Sequence, residues 1–142
     1  MFRGGAYYTF FTEELPAYIT GIFPVSKKRE DTYIAGLSMG GYGAWFLGLS
    51  RPDLYSKAAS MSGTLDIAAI AGQVTTIPPG LPFQWENIFG QPQCLKDSPA
   101  DLIWLYKQCK AAGNIPKLYQ ACGTEDYLYS MTNPAPLDGS SP

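Results

Sequence analysis

Apolar positions along the chain alternate between two spacings. Phe11, Leu15, Tyr18, Ile19, Ile22 and Phe23 recur every three to four residues, which predicts a helix with one apolar face. Thr12 is placed as its N-cap, with Glu13 and Glu14 in the first turn and Pro16 early, where a missing N–H costs little. Pro24 ends it. A polar turn over residues 27–31 leads into a short β-prone run, residues 32–37. Tyr42, Trp45, Phe46 and Leu49 then return to helical spacing over residues 39–49, with Trp45 expected in the core. Residues 57–62 predict a second short strand, ending at Gly63. Ser98, Pro99 and Asp101 read as N-cap, N1 proline and acidic N3 of a third helix. Its face carries Leu102, Ile103, Leu105, Tyr106, Cys109 and Ala112, and Gly113 is its C-terminal stop. Residues 117–122 predict the third strand. Helix, strand, helix, strand, helix, strand in this order argues a parallel α/β sheet flanked by helices.

Between the second and third helices the pattern fails. Residues 72–99 contain Pro78, Pro79, Pro82, Pro92 and Pro99 with no sustained period. Irregular stretches of this length are commonly functional, and Phe83, Trp85, Ile88 and Phe89 argue against plain disorder. A lid or pocket wall holding one short helix is expected. Asp66 falls in a loop or short helix before it. Residues 130–142 show neither period, and the domain is expected to span residues 1–129, followed by an irregular tail.

The first strand runs without a break into Gly36-Leu37-Ser38-Met39-Gly40 and the glycine-rich helix. A strand that turns sharply into a helix around a serine is the context of a nucleophile elbow, with Ser38 at its tip. Gly36 and Gly40 give room where a Cβ would meet neighbouring backbone. Ser38 is expected in a strained conformation, at the carboxyl end of the sheet where α/β folds place their sites.

Four segments together resemble one family: Glu13-Glu14-Leu15-Pro16, Gly36-Leu37-Ser38-Met39-Gly40-Gly41-Tyr42-Gly43-Ala44, Arg51-Pro52-Asp53 and Gly123-Thr124-Glu125-Asp126-Tyr127-Leu128-Tyr129. The chain resembles the esterase branch of the α/β-hydrolases, which includes acetyl and tributyrin esterases, S-formylglutathione hydrolases and feruloyl esterases. The resemblance implies a partial α/β-hydrolase fold, Ser38 as nucleophile and Asp126 as the acid of a catalytic triad. It also implies a downstream histidine, and the sequence contains none. The first strands of the family sheet are expected before Met1. The tail after Tyr129 is expected to be foreign to the family, as a frameshift or misplaced gene boundary would leave.

An ester hydrolase of this kind forms an acyl-enzyme, and its serine needs an adjacent base. Asp126 is the first choice for the carboxylate that orients that base, and an aspartate in such a loop also reads as a cap or turn residue. Glu125 ranks second; Asp66 and Asp97 are further loop acids. The backbone N–H of Met39 is the expected oxyanion donor, with a second donor before Met1. The substrate implied is a small acyl ester. The alternative is a catalytically inactive remnant that acts as a binding module.

Composition narrows the classes further. The chain has 142 residues, a net charge of −2 and 15% charged residues, so it is one domain with no nucleic-acid signature. Lys27-Lys28-Arg29 reads as a solvated turn. No apolar run reaches the about 18 residues of a membrane helix, and the N-terminus has no clear leader pattern. Cys94, Cys109 and Cys122 have no metal spacing and read as reduced, mostly packing thiols, as in cytoplasm. No metal and no cofactor is expected. The first strand should be central in the family sheet and here lacks a neighbour, so self-association through an exposed sheet edge is expected.

Overall fold

The computed structural model describes residues 6–71, 89, 94–126 and 129. Most of the expected lid over residues 72–99, and the tail after Tyr129, lie outside the described residues. Helical structure begins earlier than the sequence predicts. Helix α1 (Tyr7–Thr9) passes through a π-helical turn (Phe10–Glu14) into α2 (Leu15–Ile22). Thr12 is therefore not a cap. It is buried inside the π turn, and its hydroxyl donates to Tyr8 O at 2.8 Å. The side chain has turned back onto the preceding turn, an option open to threonine within a helix. Phe23 is extended and the helix stops there, before Pro24.

A 3-10 turn (Arg29–Asp31) precedes β1 (Tyr33–Leu37), which is followed by α3 (Met39–Ser50), β2 (Lys57–Met61) and α4 (Ile67–Ala71). Helix α5 (Leu102–Ala111) leads to β3 (Lys117–Ala121). Among the described residues the sheet has the order β1-β2-β3, parallel throughout. This is the parallel, helix-flanked architecture that the alternating pattern predicts.

Register sorts the strand residues between two faces. Ile34, Ala58 and Leu118 stand in one row, and Gly36, Ser60 and Gln120 in another row on the same face. That face carries α3 and α5: Trp45, Leu49, Ala58, Leu65, Leu102, Leu105 and Cys109 form the core. Trp45 is 4% exposed, and its indole N–H donates to Tyr119 O at 3.0 Å. A smaller cluster of Ile67, Leu95 and Ala100 packs against Tyr42 and Phe89.

The ends of α5 show which local signals prevailed. Asp101, not Ser98, is the N-cap, and its carboxylate accepts from Ile103 N at 2.9 Å and Trp104 N at 3.1 Å. Ser98 instead donates to Leu95 O and receives Ala100 N within the turn before the helix. Aspartate caps as well as serine does, and it lies closer to the first helical N–H groups. At the other end Gly113 has φ 67°, with Asn114 N donating to Cys109 O and Gly113 N to Lys110 O. That pair of bonds is a Schellman stop.

Of the three cysteines only Cys109 is buried; Cys94 is exposed and Cys122 intermediate, and all three are free thiols. The expectation that they mostly serve packing holds for Cys109 alone. Its thiol donates to Leu49 O at 3.1 Å, and burial pushes its pKa up. Helix α2, whose apolar face implies packing against the sheet just before β1, leaves that face open. It has no buried residue and does not close onto the sheet; an apolar groove of about 780 Å³ separates it from β1 and α3.

Candidate active site

One residue joins β1 to α3. Leu37 ends the strand, Met39 begins the helix, and Ser38 between them has φ 56° and ψ −120°. These angles match the first central position of a type II′ turn, which glycine normally fills. A non-glycine residue held there costs on the order of 1–3 kcal/mol, so the surroundings must fix it. They do so through the backbone. Ser38 N donates to Met61 O at 2.8 Å, and Ser38 O accepts from Gly41 N at 2.9 Å and Tyr42 N at 3.3 Å. The Ser38 side chain is exposed and makes no capping hydrogen bond.

Gly36 makes this turn possible. A Cβ there would collide with the carbonyl of Gly40 on the first turn of α3. Gly40 differs: a Cβ on it would meet nothing within 4 Å, because that side opens into the groove. Met39 is 66% exposed, and its N–H is among the first of α3, which have no intrahelical acceptor. The positive end of a 12-residue helix dipole therefore faces the site.

Ser60 is a position that pattern reading did not single out. It pairs with Gly36 in the ladder and is 1% exposed, and its hydroxyl has no partner among the described residues. Gly41 and Gly63 close around it, and a Cβ on either would crowd the Ser60 oxygen. The first turn of α3 thus rests directly on β2 through groups without bulk. One residue further on, Met61 supplies the carbonyl that holds Ser38. The available signal was the clustering of small residues at the ends of adjacent elements.

Asp126 follows β3 by five positions, in a turn closed by Asp126 N donating to Gly123 O at 3.0 Å. It is partly buried, whereas Glu125 is exposed. Ser38 and Asp126 both leave carboxyl ends of parallel strands, two strand spacings or about 10 Å apart along the sheet. Asp66 and Asp97 have local roles. The Asp66 carboxylate accepts from Ala69 N at the start of α4, and Asp97 N donates to the Asp101 carboxylate. Tyr42 anchors α3 from the side: its hydroxyl donates to Ala100 O at 2.7 Å, and its ring packs edge-on against Phe89. Burial first, and then the nearby Asp101 charge, raise the Tyr42 pKa well above its ordinary value. Among the described residues no group of three His, Cys, Asp or Glu could hold a metal ion, and no helix is long and apolar enough to cross a membrane.

Residues 4–129 match the family model described as "Putative esterase", and the chain belongs to that family of α/β-hydrolase-fold proteins. An acetyl esterase of Caldicellulosiruptor saccharolyticus is 35% identical over 130 residues, covering 84% of this chain and 46% of its own. A substrate-bound, fluorophosphonate-binding serine hydrolase of Staphylococcus aureus superposes with a TM-score of 0.75 at 34% identity, covering 89% of this chain and 48% of its own. An S-formylglutathione hydrolase of the same organism gives 0.72 at 35% identity, covering 92% and 49%. The chain therefore spans about half the length of the relatives it matches.

Proposed function

We propose that this chain carries the nucleophile-bearing part of a cytoplasmic serine esterase acting on short acyl esters. One observation carries the reading: an exposed serine in a G-x-S-x-G sequence, held at φ 56° between a parallel strand and a helix N-terminus. The relatives support the class, being an acetyl esterase, a serine hydrolase and a thioester-cleaving hydrolase by their names. In this reading the Ser38 oxygen attacks the acyl carbonyl and its proton passes to an imidazole. The Met39 N–H donates to the oxyanion, and Asp126 holds the imidazole in the productive tautomer. The alcohol leaves with that proton, and water then releases the acid.

The chain contains no histidine, so the imidazole must come from outside this sequence. The isolated chain is expected to hydrolyse p-nitrophenyl acetate no faster than mock-purified material. The same absence favours a second reading, a catalytically silent remnant that serves as a binding module. A fluorophosphonate probe separates the two. All parts of the C. saccharolyticus acetyl esterase outside the matched residues are added in trans as the complementing polypeptide material. Labelling at Ser38 is expected to rise by about 10²–10⁴-fold, the usual contribution of a positioned general base, and to vanish in Ser38→Ala. No labelling with or without that polypeptide leaves the remnant.

A further inference from the structure

Helix α3 sits on β2 at two points where neither side has bulk. Gly41 and Gly48 are seven positions apart, about two turns, and so share a face of the helix. Ala58 and Ser60 are two positions apart and share a face of the strand. A Cβ on Gly48 would stand 2.7 Å from the Ala58 Cβ, and one on Gly41 would stand 2.5 Å from the Ser60 oxygen. The two seats differ by one atom. Toward its C-terminus the helix rests on a methyl group; at the Ser38 end it rests on a hydroxyl, which reaches one bond beyond a methyl.

That hydroxyl is unfavourable where it lies. It is 1% exposed and has no hydrogen-bond partner among the described residues. An alanine, the residue at both preceding positions of β2, would avoid the loss. A buried polar atom left without a partner calls for a reason, and its neighbours supply one. Both halves of the clamp on Ser38 lean on it. Ser38 N donates to the carbonyl of Met61, the next residue of β2. Ser38 O accepts from Gly41 N, and Gly41 is the residue seated on the Ser60 oxygen. Gly63 crowds the same oxygen from the turn after β2, and a Cβ on it would stand 3.0 Å from Tyr42 N, the other donor to Ser38 O. The gap between the end of β2 and the first turn of α3 therefore fixes how sharply the chain turns at Ser38.

We infer that Ser60 is a positioning residue of the site: its hydroxyl oxygen is a spacer that sets the gap between β2 and the first turn of α3, and so holds Ser38 at φ 56°. The inference rests on the reading of Ser38 as nucleophile, for which a displacement of about 1 Å costs about 10²-fold in rate.

The test follows amide hydrogen exchange and thermal melts of the isolated chain. Ser60→Ala removes the spacer. Its melt is expected to stay level or rise, because the unpaired hydroxyl is gone. Exchange at Ser38, Gly41 and Tyr42 is expected to quicken by at least about tenfold, while Leu47 and Leu49 stay within about twofold. Gly41→Ala drives a methyl group against the same oxygen and is expected to quicken the same three amides and lower the melt. In Ser60→Ala/Gly41→Ala that methyl takes the oxygen's place, and the three amides are expected to return to within about threefold of their wild-type rates. An atom that merely fills the core would give a lower melt for Ser60→Ala and faster exchange along the whole of α3. That result overturns the inference, as do unchanged rates at the three amides in Ser60→Ala, or a double variant no slower in exchange than Gly41→Ala alone. None of these readouts needs turnover. Absence of fluorophosphonate labelling in the complemented wild-type chain would sink the esterase reading and leave the spacer as a property of the turn; the overturning results above would sink the spacer and leave labelling untouched.

Discussion

Two large aromatic residues meet at one strand and have opposite fates. Trp45 lies on the α3 and α5 side of the sheet, 4% exposed, with its indole N–H bonded to Tyr119 O. Tyr119 projects from that strand to the other side and is 57% exposed. The rest of each face follows its aromatic. Ile34, Ala58 and Leu118 are covered by helices, whereas Tyr33, Leu37 and Met61 are 54%, 66% and 43% exposed. Parallel sheets in α/β folds are covered on both faces, so composition alone predicts burial for both rows. The packing of the described residues is concentrated on one side of the strands, and the apolar residues of the other side stand exposed.

The largest expected effect tests that asymmetry directly. Trp45→Ala removes a buried ring from the core and should cost about 3–5 kcal/mol, a large share of the about 5–15 kcal/mol that holds a typical domain folded. Tyr119→Ala, a truncation of similar size on the open face, should cost under about 1 kcal/mol, mostly in strand propensity. Urea titrations of both variants measure the pair. Equal losses would mean that the open face is covered in solution.

Two glycines, Gly36 of β1 and Gly43 of α3, sharpen the contrast at the site itself. Gly36→Ala drives a methyl group into the Gly40 backbone and should destabilise by about 1–3 kcal/mol, since a carbonyl cannot swing aside as a flexible side chain can. Gly43→Ala points into the groove and should stabilise by about 0.5–1 kcal/mol, the ordinary helix-propensity gain. Thermal melts should therefore move in opposite directions for the same chemical change. A loss at Gly43 would show the groove already closed.

Legibility followed the physics of each element. The strands and the body of α3 were readable because β1 and β2 are short apolar runs bounded by turns, and because Tyr42, Trp45, Phe46 and Leu49 keep helical spacing. The turn at Ser38 was readable because a one-residue reversal demands a glycine such as Gly36 nearby. Boundaries that depend on competing side chains were not. Thr12 and Ser98 both resemble caps in sequence, yet each hydroxyl found a carbonyl in the preceding turn, and Asp101 took the cap of α5. The uncovered position of α2 was also illegible, because its apolar period reports that a face prefers burial and says nothing about which partner is present. Ser60 carried no pattern, since its meaning lies in Gly36 and Gly41 from a distant part of the chain, together with nearby Gly63.

A last, single-bond effect sits where the packed side meets the stretch before α5. Tyr42 donates its hydroxyl to Ala100 O at 2.7 Å, and burial holds its pKa well above the ordinary value near 10. Tyr42→Phe keeps the ring packing against Phe46 and Phe89 and loses one neutral hydrogen bond, so it should cost about 1 kcal/mol at neutral pH. The pH dependence has a definite sign. The unfolded chain releases the phenol proton near pH 10 and the folded chain only well above it, so the stability tied to the neutral phenol is complete below pH 10 and falls as pH rises past it. The wild-type chain should therefore lose stability from about pH 10 upward more steeply than Tyr42→Phe, and the gap between them should narrow. Denaturant melts between pH 8 and pH 11 read this directly. Parallel curves would mean that Tyr42 titrates normally, and that α3 is less tightly joined to the turn before α5 than its hydrogen bond indicates.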